Sequence, residues 1–172
     1  PLQVSASAGS DQRYSVALTY GGDYDHWTGV ELGGFTTLGA LAIADPNEAG
    51  VDYRWSGSWS MLHNDTGLSL TVSSGLDSGT EGDTPYNLYG KIGWDTRLLR
   101  FGPTGFGFDY TYTENVTAEG DQGQSFGVAA VQVFERFGIE IYSQLRWLSL
   151  DRATGPDFKD ILVFTNGTRV RF

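Results

Sequence analysis

The sequence predicts an all-β protein: an antiparallel barrel whose strands are long enough to cross a membrane. Three observations carry the prediction. Apolar and polar residues alternate with period two over most of the chain, the connections between these stretches are long and short in turn, and aromatic residues make up 14% of the sequence. Successive residues of a strand point to opposite faces, so this alternation means one apolar face and one polar face.

The alternation begins with Tyr14, Val16, Leu18 and Tyr20 set against Arg13, Ser15, Ala17 and Thr19. Val30 and Leu32 start a long, glycine-broken strand that reaches Ala44, whose facing is ambiguous. Val51, Tyr53, Trp55, Trp59 and Met61 form the apolar set of the third stretch, and Leu68, Leu70 and Val72 that of the fourth. Tyr86, Leu88, Ile92, Trp94 and Leu98 alternate with Asn87, Tyr89, Lys91, Asp95 and Arg97. Phe106, Phe108, Tyr110 and Tyr112 follow, and then a stretch over 125–134 that is apolar on both faces. Ile139, Ile141, Leu145 and Trp147, and finally Leu162, Phe164, Val170 and Phe172, complete about nine strands with no helix between them. Consecutive strands without crossovers pair as antiparallel hairpins.

Residues 62–67, 101–105 and 135–138 read as short turns, whereas 45–50, 75–85, 114–123 and 151–160 read as longer polar loops. From the third stretch onward the two kinds alternate. Transmembrane barrels of the outer-membrane type show this asymmetry, with short periplasmic turns and long external loops, and strands of about 9–11 residues suffice to cross when tilted. Aromatic residues near the strand ends fit interfacial girdles, which places the polar face inside a wet lumen.

Composition excludes several classes. The chain of 172 residues reads as a single domain, 1–172, with no cysteine for a disulfide framework. A net charge of −10 with no basic tract excludes nucleic acid as a partner. No apolar run reaches the ~18 residues of a membrane helix. Pro1-Leu2-Gln3-Val4 offers neither a basic region nor an apolar core, so no signal peptide is read there.

The C-terminal segment brings a resemblance. Phe137 to Asp151, a polar loop, and Lys159-Asp-Ile-Leu-Val-Phe-Thr-Asn-Gly-Thr-Arg-Val-Arg-Phe172 resemble the last hairpin of Gram-negative trimeric porins. In that family a terminal Phe preceded by alternate apolar residues is the barrel-assembly signal. Phe172, Val170 and Thr168 match it, with Asn166 a polar departure. The resemblance extends more loosely back to about Val51. It implies a cell outer membrane location and passive diffusion of small hydrophilic solutes and ions, without chemistry or cofactor. The partners it implies are membrane lipid and lipopolysaccharide, the barrel-assembly machinery, and two further copies in a homotrimer. The faces around Phe126, Val128 and Ala130, and around Gly33 and Gly39, are candidates for the subunit contact.

Two departures stand beside it. Family porins have sixteen strands and about twice this length, and their acidic Pro-Glu-Phe-Gly-Gly-like constriction motif is absent here. Bacterial single-chain barrels have even strand counts. Nine strands therefore require either a tenth from 2–8 or membership of a larger barrel, and the tail favours the second.

With the polar face inside, the wall would display Arg54, Lys91, Arg97, Arg146, Arg169 and Arg171 beside Asp52, Asp95, Asp109 and Glu140. Rings of charge set ion selectivity in pores. In family porins wall arginines face an acidic loop, and the resemblance nominates Arg54, Lys91, Arg97 and Arg146 for that role. The plainer alternative is that these charges satisfy one another across neighbouring strands.

Other motifs carry little. His26 and His63 lack the companions a metal site needs. An outer-membrane protease would place Asp23, Asp25 and His26 at a barrel rim. The stretch 105–110 lacks the third glycine of a dinucleotide loop, and 77–88 lacks the closing Glu of a calcium loop. Two rivals to a pore remain: a small barrel plugged by paired charges with a structural or adhesion role, and a soluble β-sheet binding protein with an apolar interior.

Overall fold

The computed structural model describes residues 2–8, 14–23, 34–46, 50–79, 82–116, 118–156 and 158–171. Ten antiparallel strands form one sheet in sequence order, β1 (Leu2–Ala8), β2 (Tyr14–Asp23), β3 (Phe35–Asp45), β4 (Tyr53–His63), β5 (Leu68–Ser78), β6 (Tyr86–Leu99), β7 (Gly102–Glu114), β8 (Gln122–Phe134), β9 (Ile139–Asp151) and β10 (Ile161–Val170). A single 3-10 turn, Glu135–Phe137, is the only helical element among the described residues. Each strand pairs only with its sequence neighbours, and the sheet is not closed into a barrel: β1 and β10 each present a free edge. The strand at Leu2–Ala8 brings the count to ten.

Register assigns every side chain to a face. Leu18 lies opposite Leu41, Ile43 opposite Trp55, and Trp59 opposite Val72. Another row on the same side runs from Met61 through Leu70 and Ile92 to Phe108, Val128 and Leu145. These residues make one apolar face across the whole sheet. The pairings resolve β3, whose Gly39, Leu41 and Ile43 join the apolar face. They also divide β8: Phe126, Val128 and Ala130 share the apolar face, while Ala129, Val131 and Val133 take the other.

From β3 onward the connections have two lengths. At one end lie the loops 46–52, 79–85, 115–121 and 152–160; at the other the turns 64–67, 100–101 and 135–138, although the β2–β3 connection at that same end, 24–34, is long. The short turns use glycine where the backbone demands it. Gly67 has φ 70°, and a Cβ there would run into the Asp95 carbonyl, to which the turn is bonded through Asp95 N–H donating to Gly67 O at 2.9 Å. Gly138, at φ 62°, accepts from Arg171 N–H at 2.8 Å and so fastens the end of β10 to the turn.

No apolar side chain is buried among the described residues. The surface totals 11632 Å², against about 8,300 Å² expected from the size scaling of folded monomers for this mass. Large apolar residues of the apolar face, where a soluble protein places its core, contribute to the excess: Leu41 is 54% exposed, Ile92 56% and Phe164 69%.

Candidate functional site

The polar face carries the chemistry. In β4 to β6 its rows are Ser56, Ser58 and Ser60, then Ser69, Thr71 and Ser73, then Asn87, Tyr89 and Lys91. Farther on, glycine dominates. Gly93 lies opposite Gly107, Gly105 opposite Asp95, and Gly127 between Asp109 and Arg146. Glycine leaves no side chain to fill the face, so long neighbours lie down across it.

Arg146 is the clearest case. Its guanidinium reaches across β8 to Asp109 on β7, with Nη2 2.7 Å from Oδ1 and 2.9 Å from Oδ2, while Nη1 donates to Ser125 Oγ at 2.8 Å. The bond spans an intervening strand because that strand offers Gly127. A Cβ at Gly127 would stand 2.5 Å from Asp109 Oδ2 and 2.6 Å from Arg146 Nη2. The pair is charge-assisted and mostly buried, with the guanidinium 27% and the carboxylate 12% exposed.

The other nominated cations also meet carboxylates. Arg54 and Asp77 stand opposite in register and bond in a fork, both contacts at 2.7 Å. Arg97 holds Glu135 at 2.8 and 3.3 Å, joining the β6–β7 bulge to the β8–β9 turn. Glu140 takes Arg169 at 3.3 Å and Arg171 at 2.5 Å. Arg54, Arg97, Arg146 and Arg169 therefore each have a carboxylate partner.

Lys91 differs. It stands opposite Asp109 in register, but Asp109 is turned to Arg146, and Lys91 has no ion pair among the described residues. Its chain passes Gly107, with Cε 3.6 Å from where a Cβ would be. Lys91, Asp95, Tyr89, Tyr142 and Gln144 surround a depression of about 370 Å³ floored by Gly105, Gly107 and Ala129. Asp95 and Asp52, also nominated, form no ion pair among the described residues; Asp52 lies against Gly79 at the long-loop end.

The apolar face ends in aromatic rows. At the long-loop end stand Tyr14, Tyr53, Trp55, Tyr86, Tyr112 and Trp147, with Tyr86 and Tyr112 both donating to Glu114 Oε2, at 2.6 and 2.8 Å. At the short-turn end Trp94 stacks on Phe106 at 6.0 Å and Phe101 meets Phe134 at 5.6 Å. Asn166, the polar departure in the C-terminal tail, lies on this face and accepts from its cross-strand partner Ser143 at 2.8 Å. Val170 and Thr168 alternate on the same face, as the tail pattern requires; Phe172 lies outside the described residues, as do Asp25, His26 and Gly33.

Sequence reasoning missed one cluster. At the long-loop end Asp121, 2% exposed, accepts from Ala153 N–H at 2.9 Å and faces Arg152 Nε at 3.7 Å. Asn115, at φ 60°, accepts from Gly120 N–H at 2.7 Å and donates to Thr84 O at 3.2 Å. Three loops are thus tied through two side chains. The signal was one Asn and one Asp bounding a polar loop, residue types that stabilise local turns. No group of His, Cys, Asp and Glu suited to a metal ion exists among the described residues.

Compared with known protein families, with curated proteins and with solved structures, the chain finds no match in any of the three.

Proposed function

We propose that this chain belongs to the barrel wall of an outer-membrane porin and that its polar face lines a water-filled path for small hydrophilic solutes and ions. The observation that carries this reading is the exposed apolar face bounded by aromatic rows. A sheet with no buried apolar side chain leaves that face to be covered by something other than its own chain. A soluble binding protein would put such residues in an interior. Along β6 the rows at Tyr86 and Trp94 lie eight residues apart. That is about 27 Å along the strand and about 20 Å across a bilayer at the usual tilt, near the ~25 Å apolar band of outer-membrane barrels.

Free edges do not survive in lipid, because each unpaired backbone group there costs several kcal/mol. The reading therefore includes closure of the sheet. β1 and β10 run in opposite directions, and ten strands remain open, which favours a larger barrel to which further strands contribute. Subunit contact in a trimer would use the small and apolar residues of the outer face, such as Gly39, Val128 and Ala130.

Intact mass of the protein extracted from outer membranes, measured beside single-channel conductance, tests the reading. The expected result is a mass near twice 18.8 kDa with large, stable conductance steps. A mass of 18.8 kDa without steps overturns it and leaves the second reading, a small plugged barrel, which the fork of Arg146 on Asp109 favours. Lys91 sharpens the test. As the nominated cation without an ion pair among the described residues, it acts on passing ions directly, so Lys91→Glu lowers the anion-to-cation permeability ratio severalfold. An unchanged reversal potential in a salt gradient removes Lys91 from the path.

A further inference from the structure

We propose that the long-loop end of the polar face holds a binding site for amphipathic anions, molecules with a carboxylate or similar head on an apolar body. The inference rests on the reading of that face as a pore wall.

The polar face changes character near this end. Two rows cross it: Thr111, Ser125, Leu148 and Ile161 stand side by side in register, and above them Thr113, Gly123 and Leu150. Hydroxyls occupy β7 and β8, and aliphatic side chains occupy β9 and β10. Phe158 and Lys159, which precede β10, complete a pocket of about 520 Å³ beside these rows. Gly123 keeps it open, since a Cβ there would come within 2.5 Å of Thr113 Oγ1. Leu148, Leu150, Ile161 and Phe158 give the pocket an apolar lining that opens to solvent at Phe158 and Ile161, 58% and 59% exposed.

Charge chooses the head group. Lys159 lines the pocket and has no ion pair among the described residues. The neighbouring Asp160 does not neutralise it, because its carboxylate is held on the opposite face by Trp147 Nε1 at 3.1 Å. Asp121 is likewise engaged, by Ala153 and Arg152. Arg152 in turn lies over the Phe158 ring at 5.5 Å. An open apolar pocket beside an ammonium that no described carboxylate pairs suits an apolar acid in its anionic form, and neither an amine nor a sugar.

The test uses the full-length protein in phosphatidylcholine vesicles, with radiolabelled 4-phenylbutyrate and neutral 4-phenylbutanol in equilibrium dialysis against protein-free vesicles. The expected result is saturable, protein-dependent binding of phenylbutyrate. Lys159→Gln weakens it about tenfold, the scale of one hydrogen bond to a charged group, and leaves phenylbutanol unchanged. Leu150→Asn weakens both. Lys159 is exposed, and matching circular dichroism confirms that the Gln variant is folded. Absence of protein-dependent binding, or equal binding of both probes in wild type and Lys159→Gln, overturns the site. Conductance of the same vesicles scores the pore reading separately: steps without binding overturn the site alone, and binding without steps overturns the pore alone.

Discussion

Along β8 the two faces of the sheet stand side by side. Phe126, Val128 and Ala130 project to the apolar side, where Phe126 lies 4.7 Å from the Tyr110 ring and 5.4 Å from Trp147. Ser125, Gly127 and Ala129 project to the polar side, where Arg146 crosses Gly127 to reach Asp109. The apolar contacts are broad and non-directional, so one ring can be exchanged for another at little cost. The polar contacts depend on single atoms and on the absence of one methyl group. A sheet without a buried core cannot hold its register by packing. Its backbone ladder and these directed pairs do so, and the apolar face answers to the surroundings.

The largest effect expected from this difference comes from placing one charge on each side of the same strand. Val128→Arg puts a guanidinium near the middle of the apolar band, where the cost in a bilayer is about 2–4 kcal/mol. Ala129→Arg, one residue on, enters the polar face and costs less than about 1 kcal/mol, chiefly through repulsion from Lys91. Urea unfolding in phospholipid vesicles, followed by tryptophan fluorescence, measures both. Equal costs would mean that lipid does not cover the apolar face.

The second prediction concerns the pair that crosses β8. Asp109→Ala leaves Arg146 with Ser125 as its partner and should cost about 1–2 kcal/mol, less than a fully buried pair because the guanidinium is partly solvated. Gly127→Ala drives a methyl group between the two side chains and should cost up to about 1 kcal/mol. In the Asp109→Ala background most of that second cost should vanish, since the pair is already broken. Additive costs in the double variant would mean that Gly127 serves the backbone instead.

These cases show what the sequence made legible. Period-two patterning located the strands from Tyr14 onward, because one face is apolar almost without interruption. β1 was harder, since Ala6 and Ala8 against Ser5 and Ser7 give little contrast in hydropathy. β3 failed for the same reason: alanines occupy one face and a glycine interrupts the other, so only the partners of Leu41 and Ile43 decide its facing. The residue types of the polar face were legible too, but its pairs were not. Which carboxylate an arginine meets follows from register, and register is set by turn geometry. The Arg146–Asp109 contact lay farther still from view, because it joins strands that are not neighbours and requires the Gly127 gap between them. The pocket beside Phe158 and Lys159 was invisible for a related reason, since strand alternation does not extend to these two residues.

The smallest effect belongs to Arg97. Its fork on Glu135 has good geometry, with contacts at 2.8 and 3.3 Å, yet the two side chains are 67% and 51% exposed. Two long side chains lose rotamer freedom to form it while water screens the attraction, so Arg97→Ala should change stability by less than about 0.5 kcal/mol and the difference should vanish in high salt. The same carboxylate–guanidinium chemistry at Asp109 should cost several times more. If Arg97→Ala instead matched Asp109→Ala, burial would not be what separates the pairs. The strength of the polar face would then lie in where each pair sits along the strands, with the short-turn end, where Arg97 joins the bulge of β6 to the turn after β8, holding as much of the sheet's register as its centre.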